Sequence, residues 1–159
     1  MFAVAEVSAT PPFRLIQTMF PVRTDRANTF AAGLSMGGYG ALKLGLRMPE
    51  KFGKIGAMSA VADIGWAGRN EGCMCDQEII SIFGGHTAML GTDDDLFELL
   101  KRPAPACGRP DIMMRCGDKD FLIAENRDFI RRAAEAGNWN IDYAETPEAA
   151  HSWEFWMDK

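Results

Sequence analysis

Ser35 lies in the run Gly33-Leu34-Ser35-Met36-Gly37, between the apolar segment Phe30-Ala31-Ala32 and a helix-forming segment from Gly40 to Arg47. A serine hydroxyl attacks a carbonyl only when it projects towards substrate with a base at hand, and a sharp turn from strand into helix gives that projection. The glycines follow from the turn, because a strained serine between two close backbone segments leaves little room for a β-carbon at positions 33 and 37. Strand, turn and helix are all present here, with Met48-Pro49 placed to stop the helix.

A serine nucleophile needs a group to take its proton, and the chain has two histidines, His86 and His151. His151 closes the segment Thr146-Pro147-Glu148-Ala149-Ala150-His151, directly after the last predicted strand. Parallel sheets gather their reactive groups in loops beyond strand ends. His86 follows Gly84-Gly85 in an irregular stretch with no flanking strand. His151 is therefore the expected base, its other reading being a histidine that packs against Trp153 and Trp156. The imidazole in turn needs a carboxylate to fix its tautomer and stabilise its cation. Cys116-Gly117-Asp118-Lys119-Asp120-Phe121 offers two aspartates at a strand exit; Asp120 is the expected partner, with Asp118 read as a turn residue.

The elements that must position these groups are legible in part. Pro11-Pro12, then Phe13, Ile16 and Phe20 at helical spacing, then Pro21, predict a short helix. Strands are predicted at Thr29 to Gly33, Ile55 to Ser59, Asp111 to Cys116 and Asn140 to Glu145. A helix from Leu122 to Ala136 would place Ile123, Ile130, Ala133 and Ala134 on one side, with Gly137 as its C-terminal cap. Alternating strands and helices imply an α/β fold, a mostly parallel sheet with helices on both faces. From Ala60 to Gly108 the rhythm breaks into an excursion with helices around Asp76 to Phe83 and from Asp93 to Leu100, the latter capped by Thr92. A lid or pocket wall and ordinary packing of Ile79, Ile80, Ile82 and Phe83 are both open readings of residues 60–108.

With 159 residues, 47% hydrophobic and 25% charged, the chain is expected to be a single globular domain. A net charge of -5 and a pI near 5.0, without any basic cluster, argue against a nucleic-acid partner. No apolar run is long enough to span a membrane. Met1-Phe2-Ala3-Val4 lacks the basic start of a secretory signal, which implies a cytoplasmic chain. Cys73, Cys75, Cys107 and Cys116 match no small secreted disulfide framework and are read as thiols. Cys73-Met74-Cys75 has one residue between sulfurs where structural zinc sites have at least two, so no metal is expected.

The segments Ala32-Gly33-Leu34-Ser35-Met36-Gly37-Gly38-Tyr39-Gly40-Ala41, Cys116 to Leu122 and His151-Ser152-Trp153-Glu154-Phe155-Trp156 resemble the esterase D and tributyrin-esterase group of α/β-hydrolases, which includes S-formylglutathione hydrolases. The order Ser35, Asp120, His151 is that of α/β-hydrolases. The resemblance runs from about Phe13 to the end, and Ile82-Phe83-Gly84-Gly85 and Gly91-Thr92-Asp93 look like that group's excursion. It implies Ser35 as nucleophile, Asp120 as acid, His151 as base and the Met36 backbone N–H as one oxyanion donor. It also implies hydrolysis of short-chain acyl esters or thioesters through an acyl-enzyme, with no metal or organic cofactor. Glu148-Ala149-Ala150 departs from the glycine-rich approach to the histidine that the group leads one to expect.

A larger departure is at the start, where 34 residues precede Ser35 and contain no His-Gly pair of the kind that serves the group's oxyanion hole. Gly84-Gly85-His86 is downstream and in reverse order. The chain thus resembles the C-terminal part of a hydrolase, 1–159 as one partial domain. Loss of one oxyanion donor removes about 3 kcal/mol of transition-state stabilisation, so slow turnover is expected. The elbow strand is also expected at an exposed sheet edge, inviting a homo-oligomer or pairing with an N-terminal segment. A catalytically silent fragment that associates through this edge is the alternative to an active hydrolase.

Overall fold

Four short strands form one parallel sheet in the order β1 (Phe30–Leu34), β2 (Lys54–Met58), β3 (Asp111–Gly117) and β4 (Ile141–Thr146). The computed structural model describes residues 15, 17–69 and 76–157. Register pairs Ala31 with Ile55, Ile55 with Ile112 and Ile112 with Ile141, so these side chains share one face of the sheet. Ala31, Ile55, Ala57, Ile112 and Met114 are buried there.

That face is covered by α1 (Met36–Arg47), α4 (Leu96–Leu100) and α5 (Ile123–Ala136), which join the same core through Leu42, Leu46, Leu96, Leu99, Leu100, Phe129 and Ala133. On the opposite face, among the described residues, Phe30, Ala32 and Met113 remain exposed. Every predicted strand starts and ends within one residue of its expectation, because β-branched and small apolar residues bounded by turn chemistry leave few alternatives. Residues 15 and 17–19 are helical as expected, while Phe13 and Ile16 lie outside the described residues.

The excursion between β2 and β3 carries α2 (Ile64–Ala67), α3 (Asp76–Phe83) and α4. In α3, Ile79 is buried and Phe83 packs on the core, but Ile80 and Ile82 are exposed. Cys73 and Cys75 lie outside the described residues, and Cys107 and Cys116 are free thiols. Among the described residues, no helix is long and apolar enough to cross a membrane.

Two expectations need correction. The helix expected at Asp93 starts at Leu96, and its cap is Asp95, whose carboxylate accepts from the N–H of Phe97 at 2.9 Å and of Gly91 at 3.1 Å. Thr92 instead accepts from the N–H of Asp94, while Asp93 and Asp94 are drawn into ion pairs with Arg47, Arg102 and Lys43. In α5 Ile130 and Ala133 pack on the core as expected, but the buried face is made by Glu125, Asn126, Phe129 and Ala133, and Ala134 is exposed. Apolar spacing alone missed Asn126 because its amide nitrogen is paired inside, donating to the carbonyls of Ala60 and Leu122.

Candidate active site

The C-terminal ends of β1, β3 and β4 bring three distant side chains together. Ser35 follows β1 with φ 54° and ψ -121°, outside the ordinary helix and strand regions. Its N–H donates to the Met58 carbonyl at 2.9 Å, continuing the sheet ladder. Its carbonyl accepts from Tyr39, which begins the α1 ladder. The backbone therefore changes from strand to helix at one residue, and the side chain is left at the apex. A β-carbon at Gly33 would lie 2.2 Å from the Gly37 carbonyl oxygen, so the turn closes only with glycine there, whereas one at Gly37 would meet nothing within 4 Å and the expected crowding at that position is absent.

Met36 is the first residue of α1, so its N–H belongs to the first helical turn, where donors lack acceptors inside the helix. The positive end of the helix dipole favours negative charge at that point.

His151 Nε2 lies 3.0 Å from Ser35 Oγ, across 116 residues of sequence. Its Nδ1 lies 2.9 Å and 3.1 Å from the two carboxylate oxygens of Asp120. An ionised carboxylate only accepts, so Nδ1 carries the proton and Nε2 is left to accept from the serine hydroxyl. The Asp120 side chain is fully buried, and one of its oxygens also accepts from the Leu122 N–H at 2.9 Å. The carboxylate is thus fixed from two directions and screened from water.

The loops that deliver these groups press on each other. A β-carbon at Gly117 would lie 2.0 Å from the Ala149 carbonyl oxygen, and the Lys119 N–H donates to that same oxygen at 3.0 Å. The acid-bearing turn and the approach to His151 are therefore one packed unit. Glu148, at the place where a glycine-rich loop was expected, holds φ 56°, a left-handed conformation that glycine would adopt without strain.

His86 does not meet Ser35; its Nδ1 is 2.8 Å from the Gly68 carbonyl. Asp118 bonds through its N–H to Thr146 and does not reach the imidazole. Two aromatic rings do reach it, Phe121 and Trp156, each with its centroid 4.7 Å away. Packing against Trp156, the rival reading of His151, occurs together with its contact to Ser35, and Ser59, which binds the indole, was not foreseen. The only sequence signal for Ser59 is its place at a strand exit beside the elbow strand.

Electrostatics around the cluster keep other groups quiet. Burial pushes the Cys116 thiol up to about 12, and the Asp120 charge adds to the rise, so this sulfur stays a neutral packing group. Burial also raises the Glu125 carboxyl above the usual carboxylate range, with Asp63, Asp120 and Asp128 adding to the effect. Among the described residues, no group of three or more His, Cys, Asp or Glu is placed to hold a metal ion.

Comparison with known proteins agrees with this architecture. The chain is 36% identical over 148 residues to an acetyl esterase of Caldicellulosiruptor saccharolyticus, covering 88% of this chain and 54% of the relative. Among solved structures it is similar to FphF, a fluorophosphonate-binding serine hydrolase of Staphylococcus aureus, with TM-score 0.80 and 28% identity over 92% of this chain and 56% of that one. It is also similar to the S-formylglutathione hydrolase FrmB of Staphylococcus aureus, with TM-score 0.77 and 28% identity over 92% of this chain and 57% of that one. The chain spans about half the length of these relatives. Residues 13–159 match the model of the Esterase family, described as "Putative esterase". With a parallel sheet, a strand-turn-helix elbow at Ser35 and a family match over nearly its whole length, the chain belongs to the Esterase family of α/β-hydrolase-type enzymes.

Proposed function

We propose that this chain carries the reacting residues of a serine hydrolase that cleaves short-chain carboxylic esters or thioesters through an acyl-enzyme. The observation that carries this reading is the continuous path from the buried Asp120 carboxylate through His151 to the Ser35 hydroxyl, 2.9 Å and 3.0 Å at its two steps. Ser35 Oγ attacks the acyl carbon as its proton passes to His151 Nε2. Asp120 stabilises the imidazolium that forms. The Met36 N–H donates to the developing oxyanion. The imidazolium then protonates the departing alcohol or thiol, leaving an ester of Ser35, and a water activated by the same imidazole releases the acid.

Small acyl groups are supported by the likeness to an acetyl esterase, and thioesters by the likeness to an S-formylglutathione hydrolase. Residues 60–108, with α2, α3 and α4, are read as a wall of the substrate pocket. The test is labelling with a fluorophosphonate probe together with turnover of p-nitrophenyl acetate. Labelling confined to Ser35 and lost on its replacement by alanine is the expected result; folded protein that takes up no probe overturns the reading.

One observation favours a second reading. β1 is an edge strand of the described sheet, and Phe30 on it is 56% exposed. Such an edge suits association with a second copy or with an N-terminal segment of a longer chain, without catalysis. A stable oligomer that neither labels nor turns over ester would select it.

A further inference from the structure

Ser59 stands one residue past the end of β2, has no exposed surface and holds φ 45°. Glycine would take that conformation without strain, whereas a β-carbon there meets its own backbone, so a serine at this point calls for a reason in its side chain. The hydroxyl supplies one: Ser59 Oγ accepts from the indole N–H of Trp156 at 3.0 Å, across 97 residues.

Trp156 meets the His151 imidazole edge to face, with centroids 4.7 Å apart and planes at 88°. Phe121 contacts the same imidazole at 4.7 Å with planes tilted by 49°. Ser35 and Asp120 hold the two ring nitrogens, but two hydrogen bonds through opposite sides of a ring leave it free to rock about the line joining them. The aromatic neighbours resist that rocking. Trp156 sits in α6 (Trp153–Met157), five residues long, in which Phe155 is buried and Trp153 is two-thirds exposed. So short a helix has little stability of its own, and the bond to Ser59 fastens it at depth. Ser59 is a firm anchor, since its N–H donates to the Arg115 carbonyl of β3 at 2.8 Å, in the strand that leads to Asp120.

We propose that Ser59 is a positioning residue for the base: through Trp156 it fixes the plane of the His151 imidazole so that Nε2 stays on the Ser35 hydroxyl. The kinetic consequence rests on the hydrolase reading above, whereas the order of the ring does not. Ser59→Gly in the full chain removes the acceptor while relieving the backbone, so stability and reactivity should move apart. With two histidines in the chain, the Cε1–H order parameter of His151 can be followed by 13C relaxation with His86 as internal reference. The expected result is a lower order parameter for His151 alone, an unchanged or raised Tm, and kcat for p-nitrophenyl acetate reduced about ten- to a hundredfold at constant KM. Trp156→Phe keeps the ring and loses the N–H; it should act in the same direction, and the double variant should be no worse than either single one. An unchanged His151 order parameter in both variants overturns the proposal, as does a loss of Tm in step with the loss of rate. Failure of Ser35 to label in the parent protein overturns the hydrolase reading instead, and the ring measurement still decides this one.

Discussion

The exits of β1 and β2 place two serines at similar positive φ and put them to different uses. Ser35 and Ser59 each follow the last residue of their strand, hold φ of 54° and 45°, and donate their N–H to the neighbouring strand, at the Met58 and Arg115 carbonyls. Ser35 is partly exposed and faces an imidazole that can take its proton. Ser59 is sealed in and accepts from an indole that has no proton-accepting site to offer. Strain at a strand exit therefore marks a serine as employed, but the partner and the access of water decide whether it reacts or holds something in place.

The sharpest way to break this comparison is Ser35→Ala. We expect ester turnover to fall by about 10⁶-fold and probe labelling to vanish, since Ser59 has no base to replace the lost nucleophile. Residual labelling at Ser59, read by peptide mass, would end the distinction. Asp120→Asn should lower kcat by about 10⁴-fold, because the amide can donate to Nδ1 and so favours the tautomer that leaves Nε2 protonated. The check is a rate loss with unchanged unfolding in urea.

Gly117→Ala tests whether the acid turn and the histidine loop are one unit. Its β-carbon would meet the Ala149 carbonyl oxygen at 2.0 Å, so the loop must shift, and we expect a stability loss of about 1–3 kcal/mol by chemical denaturation with activity falling further than stability. Glu148→Gly sharpens the contrast with Ser59. Both residues occupy left-handed conformations, but the Glu148 side chain makes only an exposed ion pair with Lys119 at 3.4 Å. Relief of strain should therefore prevail, raising stability by about 1 kcal/mol without loss of rate.

The smallest expected effect concerns Glu145 at the end of β4. Hydrogen bonds from the Arg127 guanidinium lower its carboxyl from 4.5 to about 2, with Tyr143 assisting. A carboxyl lowered on folding stabilises the protein above its unfolded value and loses that contribution as pH falls through the folded one. The loss should therefore develop between about pH 4.5 and 2. Arg127 is exposed and Glu145 only partly buried, so solvent screening keeps the weight of the pair small. Arg127→Ala should flatten acid unfolding curves in that window and leave stability at neutral pH nearly unchanged.

Legibility followed the range of the forces involved. Asp76–Phe83 is the helix expected, and the α1 helix stops at Arg47 before Met48-Pro49, because turn residues and proline act on their own neighbours. The start of α4 was misplaced because Lys43 and Arg47, remote in sequence, together with Arg102 just past the helix, claim Asp93 and Asp94 and leave Asp95 to cap. The inward face of α5 was legible at Ile130 and Ala133 but not at Asn126, for the same kind of reason: Asn126 is buried where the Ala60 carbonyl, 66 residues away, accepts from its amide nitrogen.

Residue types and local spacing by themselves determined where the chain turns, which serine sits at a strained apex and which acid and base stand at strand exits, since each of those depends on a few neighbouring dihedral angles and on periodic burial. Only the tertiary structure decided that His151 reaches Ser35 while His86 does not, that Asp120 is engaged and Asp118 is not, and that Ser59 and Trp156 belong to the same cluster. Those outcomes depend on parallel strands converging at one edge, and distances between strand ends are set by packing that no short stretch of sequence contains.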